Sequence, residues 1–151
     1  MIAIVQYVKD ASVKIQDFTV ASIKQGLLIY LGICKHDTQK DLEYVVNKLV
    51  RLKLIPDPDK DFKLGKSILE QKSEILVVSE VTLCADILHG SRISFSTAME
   101  PTKAREFYEA FISTLQQYTD TVKTGKFGAD MLVTSTNIGP VTFIIRSPKK
   151  S

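Results

Sequence analysis

The chain has 151 residues, 44% of them hydrophobic and 25% charged, with a formal net charge of +3. That length suits one domain with a proper core, and the balance is that of a soluble globular protein. No apolar run reaches the length of a membrane span, and so small a charge permits a polyanionic partner without demanding one.

The opening segment MIAIVQYVKD has neither the basic head nor the cleavage site of a signal peptide, so residues 2–8 are expected to be a first strand. SVKI followed by FTVASI reads as a hairpin. The unbroken apolar run GLLIYLGI (26–33) predicts a strand covered on both faces. From Thr38 to about Leu54 the period changes: Leu42, Val45, Val46, Leu49 and Val50 form the stripe of an amphipathic helix, which Asp37 or Thr38 can cap. PDPDKDFKLG (56–65) is turn chemistry, and EILVVSEVTL (74–83) begins as another buried strand. A second helix is predicted from about Pro101 to Tyr118, with Ala104, Phe107, Tyr108, Phe111 and Leu115 on one face and Pro101 in its first turn. Strands near 120–124, 130–136 and 141–146 complete the chain, the last headed by Gly139-Pro140, and the tail from 147 to 151 is expected to fray. Many strands with two long helices imply an α+β class, a mixed or antiparallel sheet with both helices packed on it. Residues 1–146 form one domain in this reading.

Conventional catalytic machinery is nearly absent. His36 and His89 are the only histidines, outside any metal-ligand spacing, and both read as surface residues. No glycine-rich phosphate loop is present, and no cofactor or metal is expected. Cys34 and Cys84 make no CxxC pair, and they read as free thiols of a reducing, cytosolic compartment. Ser79 and Thr82, at the end of a hydrophobic strand, are well placed for nucleophiles. Without a partner histidine, the better reading is that they satisfy backbone groups where the strand turns. Cys84 is a further candidate nucleophile, although a free cysteine is more often buried and inert. Asp37, Asp41 and Glu43 are accounted for by helix capping and solvation.

Two segments carry a family likeness. VSEVTL (78–83) resembles the Ser-Gln-Phe-Thr-Leu signature of the D-aminoacyl-tRNA deacylases, and TNIGPVT (136–142) resembles their Asn-x-Gly-Pro-x-Thr signature. VKDASVKI, LGICKHDTQKDLEYVVNKLVRLKL, HGSRISF and GKFGADM are similar to further segments of that family, in the same order along nearly the whole chain. The resemblance implies a homodimer with barrel-like sheets and active sites at the interface, cleaving D-amino acids from the 3′ end of tRNA in the cytoplasm. Mischarged glycyl-tRNA is a further candidate substrate.

In that family the Gly-Pro bond is cis and enters the partner's active site, so Gly139 and Pro140 would form the filter against L-side chains. Asn137, Val141 and Thr142 would frame it. An ordinary turn is the plain alternative. Ser79, Glu80, Val81 and Thr82 would form the catalytic segment, with main-chain N–H groups of Val81 and Thr82 holding the oxyanion and the tRNA 2′-hydroxyl helping to activate water. Phe127, Gly128 and Met131 would match the adenosine pocket, although Phe127 and Met131 taken alone suit a core. The chain departs from the family pattern at Glu80 (glutamine in the family), Val81 (phenylalanine), Tyr7 (an arginine that braces the Gly-Pro loop) and Ile93 (proline). These departures make a second class of function worth carrying: a nucleic-acid-binding or interaction module that keeps the scaffold.

Overall fold

The computed structural model describes residues 1–61 and 63–148. The spine is β1 (Ile2–Ile15), a single strand that contains both the predicted first strand and the first arm of the hairpin. Its N-terminal half lies between β3 (Gly26–Gly32) and β8 (Leu132–Arg146), and its C-terminal half between β2 (Phe18–Ile23) and β8, all antiparallel. Beyond β3 the sheet continues in parallel through β6 (Glu74–Ser79) and β7 (Val122–Thr124). At the far end Lys123 Nζ on β7 donates to the Ser22 carbonyl on β2 at 2.7 Å. The two ends of the path therefore approach one another, and the mixed sheet curls into a nearly closed, barrel-like form. A small hairpin of β4 (Ile55–Pro56) and β5 (Leu64–Lys66) brackets the predicted turn chemistry.

The unbroken apolar run is explained by its place in the middle of this sheet. Leu27, Ile29 and Leu31 of β3 face one core, shared with α1 (Gln39–Arg51) and α2 (Pro101–Gln116), while Leu28 faces a second core with Val8, Val13, Leu76 and Val78. Leu42, Val45, Val46, Leu49 and Val50 are all buried, as their spacing predicts. Truncating one such leucine to alanine costs about 2–5 kcal/mol. Thr38 caps α1: its N–H and hydroxyl reach Asp41 Oδ2 at 2.8 and 2.6 Å, an aspartate version of the capping box. Asp37 does not cap. It accepts from the chain's terminal ammonium and from the Cys34 N–H. Glu100 caps α2 by accepting from the N–H groups of Thr102 and Lys103, which holds its carboxyl below the usual range.

Two expectations are corrected. The segments near 130–136 and 141–146 are one strand, so Gly139-Pro140 lies within β8 rather than at its head. Proline is tolerated there because, among the described residues, β8 pairs only with β1 and leaves its other edge free. The ladder nevertheless breaks: Gln6 pairs with Thr142 and Val8 with Asn137, so residues 138–141 stand out opposite Tyr7 alone. The second correction concerns the thiols. Cys34 and Cys84 are joined in a disulfide with their Cα atoms 5.4 Å apart, so Cys84 carries no free nucleophile and the pair does not argue for a reducing compartment. Within the expected frayed tail, residues 149–151 lie outside the described part, as does Phe62.

Candidate active site

β6 ends at Ser79, and a 3-10 turn, Val81–Cys84, follows at once. The Glu80 N–H donates to the Leu31 carbonyl at 2.8 Å, fastening the head of this turn to the end of β3. Gly32 makes the close approach possible, since a Cβ there would meet Leu83 Cβ at 2.8 Å. The disulfide and a hydrogen bond from Thr97 Oγ1 to the Cys84 carbonyl fix the turn's far end. As the first residues of a helical turn, Val81 and Thr82 have N–H groups without partners inside it. Both residues are exposed, Val81 at 53%.

The turn forms the lip of a cavity of about 470 Å³. Leu31, Ile33 and Val78 lie along the strand ends, Met99, Pro101 and Ala104 at the start of α2, and Phe127 to Met131 on the opposite side. Gly128 adopts φ +76, a left-handed backbone that a side chain would strain. Phe127 is held against Tyr108 with ring centroids 5.6 Å apart, and the Arg105 guanidinium lies 5.2 Å from its ring centre. Tyr108 is itself anchored, donating to the Val77 carbonyl at 2.9 Å, and burial pushes its phenol up. The cavity is therefore a mainly apolar slot with an aromatic ring in its wall and the start of the 3-10 turn at its edge.

Its polar chemistry is sparse. Among the lining residues the only charged ones are Glu80 and Asp130, both acidic, and none is histidine, lysine or arginine. Thr82 Oγ1 donates to Glu80 Oε1 at 2.8 Å, so the threonine hydroxyl is turned toward a carboxylate. Burial, then the charge of Glu80, raises the Tyr30 phenol above its ordinary value. His36 and His89 are both exposed, and His89 is 3.0 Å from Asp86. Among the described residues no group of three or more His, Cys, Asp or Glu is arranged to hold a metal, and no helix is long and apolar enough to cross a membrane.

Of the residues singled out in the sequence, Ser79, Glu80, Val81, Phe127, Gly128 and Met131 line this one cavity; Thr82 does not, but its hydroxyl bonds to the lining residue Glu80. Asn137, Gly139, Pro140, Val141 and Thr142 do not line it. Gly139 and Pro140 are exposed on β8, their bond is cis, and Thr142 Oγ1 accepts from Gln6 Nε2 at 3.2 Å. Tyr7 is buried at 3% exposure, and its hydroxyl accepts from Gln25. Ile93 is exposed, in a loop that also presents Ile87, Leu88 and Phe95 to solvent. Sequence reasoning missed Met99, Pro101, Ala104 and Asp130 as lining residues. Pro101 and Ala104 were visible only as helix positions, and Asp130 lay unremarked inside GKFGADM.

Residues 4–146 match the family model described as D-Tyr-tRNA(Tyr) deacylase. A D-aminoacyl-tRNA deacylase from Clostridium tetani is 44% identical over 149 residues, 99% of each chain. One from Aquifex aeolicus is 44% identical over 147 residues, 97% of this chain and 98% of that one. Among solved structures, a c-Myc DNA unwinding element binding protein superposes with a TM-score of 0.91 at 38% identity, covering 99% of this chain and 100% of the other. A probable eukaryotic D-amino acid tRNA deacylase shares the fold, with a TM-score of 0.83 at 16% identity over 95% of this chain and 97% of its own.

Proposed function

The chain belongs to the D-Tyr-tRNA(Tyr) deacylase family, and from that membership we infer that its cavity is the active site of a D-aminoacyl-tRNA deacylase. The protein is a hydrolase acting on the ester that joins a D-amino acid to tRNA. The observation that carries the assignment of the site is the 3-10 turn: it begins with two exposed residues, the first of which lines a cavity that also has Phe127 in its wall.

In the working unit the terminal adenosine lies along Phe127, Gly128 and Met131, which places the scissile carbonyl at the lip. The N–H groups of Val81 and Thr82 receive the carbonyl oxygen as it gains negative charge. Donors so placed are worth about 3–4 kcal/mol each. Water attacks the carbonyl carbon, the ester oxygen leaves with a proton, and the neighbouring tRNA 2′-hydroxyl assists that proton traffic. The lining fits this division of labour, because it presents no imidazole and turns the Thr82 hydroxyl to Glu80 instead. Ser79 closes β6 beneath the turn and sets its position.

Chiral selection comes from a second copy of the chain. Gly139 and Pro140 fall in the gap of the β1–β8 pairing and do not line their own cavity; Asn137, Val141 and Thr142 frame them. In a homodimer they face the partner's bound ester and leave room for a D-side chain only. Val81, Leu132 and Ile144 are apolar and more than half exposed in the single chain, as surfaces awaiting a partner would be. One domain spanning residues 1–146 forms each subunit, and its place of work is the cytoplasm, where charged tRNA is used. Translation quality control is the process served.

The test is deacylation of D-tyrosyl-tRNA and L-tyrosyl-tRNA by the purified protein. Rapid loss of the D-ester alone supports the reading; equal loss of both, or of neither, overturns it. One relative's description as a DNA-element-binding protein favours a second reading, nucleic-acid binding without hydrolysis. A binder of that kind would lose affinity steeply with salt whether or not the tRNA is acylated.

A further inference from the structure

We propose that Glu80 reads the α-ammonium group of the bound ester, so that the cavity accepts D-aminoacyl esters with a free amine and turns away those whose nitrogen is uncharged. The inference rests on the deacylase reading of the same cavity and adds a specificity-determining residue to it.

Charge comes first. Both charged residues on the lining, Glu80 and Asp130, are acidic. The Arg105 guanidinium is not on the lining; it lies over the Phe127 ring, 4.0 Å from where a Cβ on Gly128 would stand. The charge of Glu80 also reaches Tyr30, whose phenol is raised first by burial and then by that carboxylate. A slot with this balance repels an anionic ligand group and attracts a cation. The aminoacyl end of tRNA offers one cation close to the reacting carbonyl, its α-ammonium.

Position points the same way. Glu80 lines the cavity and immediately precedes Val81 and Thr82, the proposed oxyanion donors, and its own N–H is fixed to the Leu31 carbonyl at 2.8 Å. Its carboxylate is held over the turn by Thr82 Oγ1 at 2.8 Å, and a carboxylate retains further acceptor sites beyond one such bond. An ester whose carbonyl oxygen points at Val81 and Thr82 carries its α-carbon one bond from the carbonyl carbon. The ammonium on that α-carbon is thereby brought beside Glu80. In a half-closed cavity the attraction is stronger than it would be in open water.

The arrangement has a cost in rate. A carboxylate near the oxyanion donors opposes the negative charge that grows there. Glu80 thus improves binding of the charged substrate while slowing its chemistry, so Glu80→Gln should raise both KM and kcat. Glutamine keeps an oxygen to accept the Thr82 hydroxyl, so the turn is retained.

The experiment compares three non-hydrolysable 3′-amides on adenosine by calorimetry: D-tyrosyl, N-acetyl-D-tyrosyl, and the D-hydroxy acid that keeps the size of the first but lacks its charge. Wild type is expected to bind the free amine at least ten-fold more tightly than either neutral compound, a difference of about 1.4 kcal/mol. In Glu80→Gln the preference over the hydroxy acid should fall below about three-fold. Wild type that does not distinguish the amine from the hydroxy acid overturns the proposal, and so does a folded variant that keeps the full ten-fold preference. Kinetics on D-tyrosyl-tRNA separate the two levels. Wild type that binds with this preference but hydrolyses nothing sinks the deacylase reading and leaves amine recognition standing.

Discussion

Gly32 lies so close beneath Leu83 that a Cβ on it would stand 2.8 Å from the leucine Cβ, and 3.2 Å from both Cys84 Sγ and the Glu80 carbonyl oxygen. All three obstacles belong to the turn that bears the proposed oxyanion donors, and none is the free end of a flexible side chain. Gly32→Ala must therefore displace the turn. The expected result is a loss of about 1–3 kcal/mol in stability together with at least a ten-fold fall in D-tyrosyl-tRNA hydrolysis. Thermal melting and single-turnover rates read the two effects separately. A destabilised variant with undiminished single-turnover rate would show that the oxyanion is held elsewhere.

Gly139 presents the opposite situation. A Cβ there would meet only Asn137 Nδ2, at 3.9 Å, so one subunit accommodates alanine without strain. Gly139→Ala is expected to shift stability by less than about 0.5 kcal/mol while narrowing the ratio of D- to L-tyrosyl-tRNA hydrolysis. Parallel assays on the two esters give that ratio. An unchanged ratio would remove Gly139 from the filter.

Phe127 is clamped between Tyr108 and Arg105 and borders the cavity, so it offers a flat wall without depending on a ligand for its position. Base–aromatic stacking is worth about 1–3 kcal/mol by alanine substitution. Phe127→Ala should accordingly raise KM for D-tyrosyl-tRNA about five-fold to a hundred-fold and leave kcat less affected. Steady-state kinetics would show a contrary pattern, a fall in kcat at constant KM, if Phe127 served only to align the turn.

How much of this could be read from the sequence depends on whether each feature is local. Both helices were legible because a stripe such as Leu42, Val45, Val46, Leu49 and Val50 records which face is buried. The run at 26–33 was legible because β3 supplies both cores. Continuity of β8 through Gly139-Pro140 was not, since proline argues against a strand except at a free edge, and that edge is a property of the assembled sheet. The cavity is similarly non-local: Leu31, Met99, Pro101 and Asp130 meet only after folding. The residues carried by the two signature segments divide accordingly. Val78 to Val81 of the first line the cavity, whereas none of 136–142 does, and these need a second chain to act as proposed.

The Cys34–Cys84 bond was invisible for a related reason, because a spacing of 50 residues matches no motif. It ties the segment after β3 to the last residue of the candidate turn. Closing a loop of that size restricts the unfolded chain by about 4 kcal/mol in the chain-entropy account, with measured values commonly 2–4. Protein purified without reductant should therefore melt at a higher temperature than the same protein in dithiothreitol. Mass spectrometry after alkylation should find both sulfurs blocked in the first sample only. Equal melting temperatures in the two samples would mean that the disulfide contributes nothing to stability.

The acid limb of the stability curve should carry a contribution from Glu70. Its carboxylate accepts from Lys53 Nζ at 2.9 Å and from the Ser67 N–H at 2.8 Å, and these bonds lower its pKa from 4.5 to about 2. Because the folded-state value lies below the unfolded one, the unfolded chain binds the proton first as pH falls. The stabilisation is thus complete above the unfolded pKa of about 4.5 and is lost as pH drops toward 2. Glu70 is exposed, so solvent and salt keep the effect small. Glu74, Asp86 and Glu100 are also lowered and bend the same limb, so the whole curve cannot be assigned to one residue. The difference between wild type and Glu70→Gln isolates the contribution of this carboxylate. Urea midpoints at pH 7, 4.5 and 3 should show wild type ahead at neutral pH, with the gap closing at pH 3. A gap that stays constant across that range would mean that the contact stabilises through shape rather than charge.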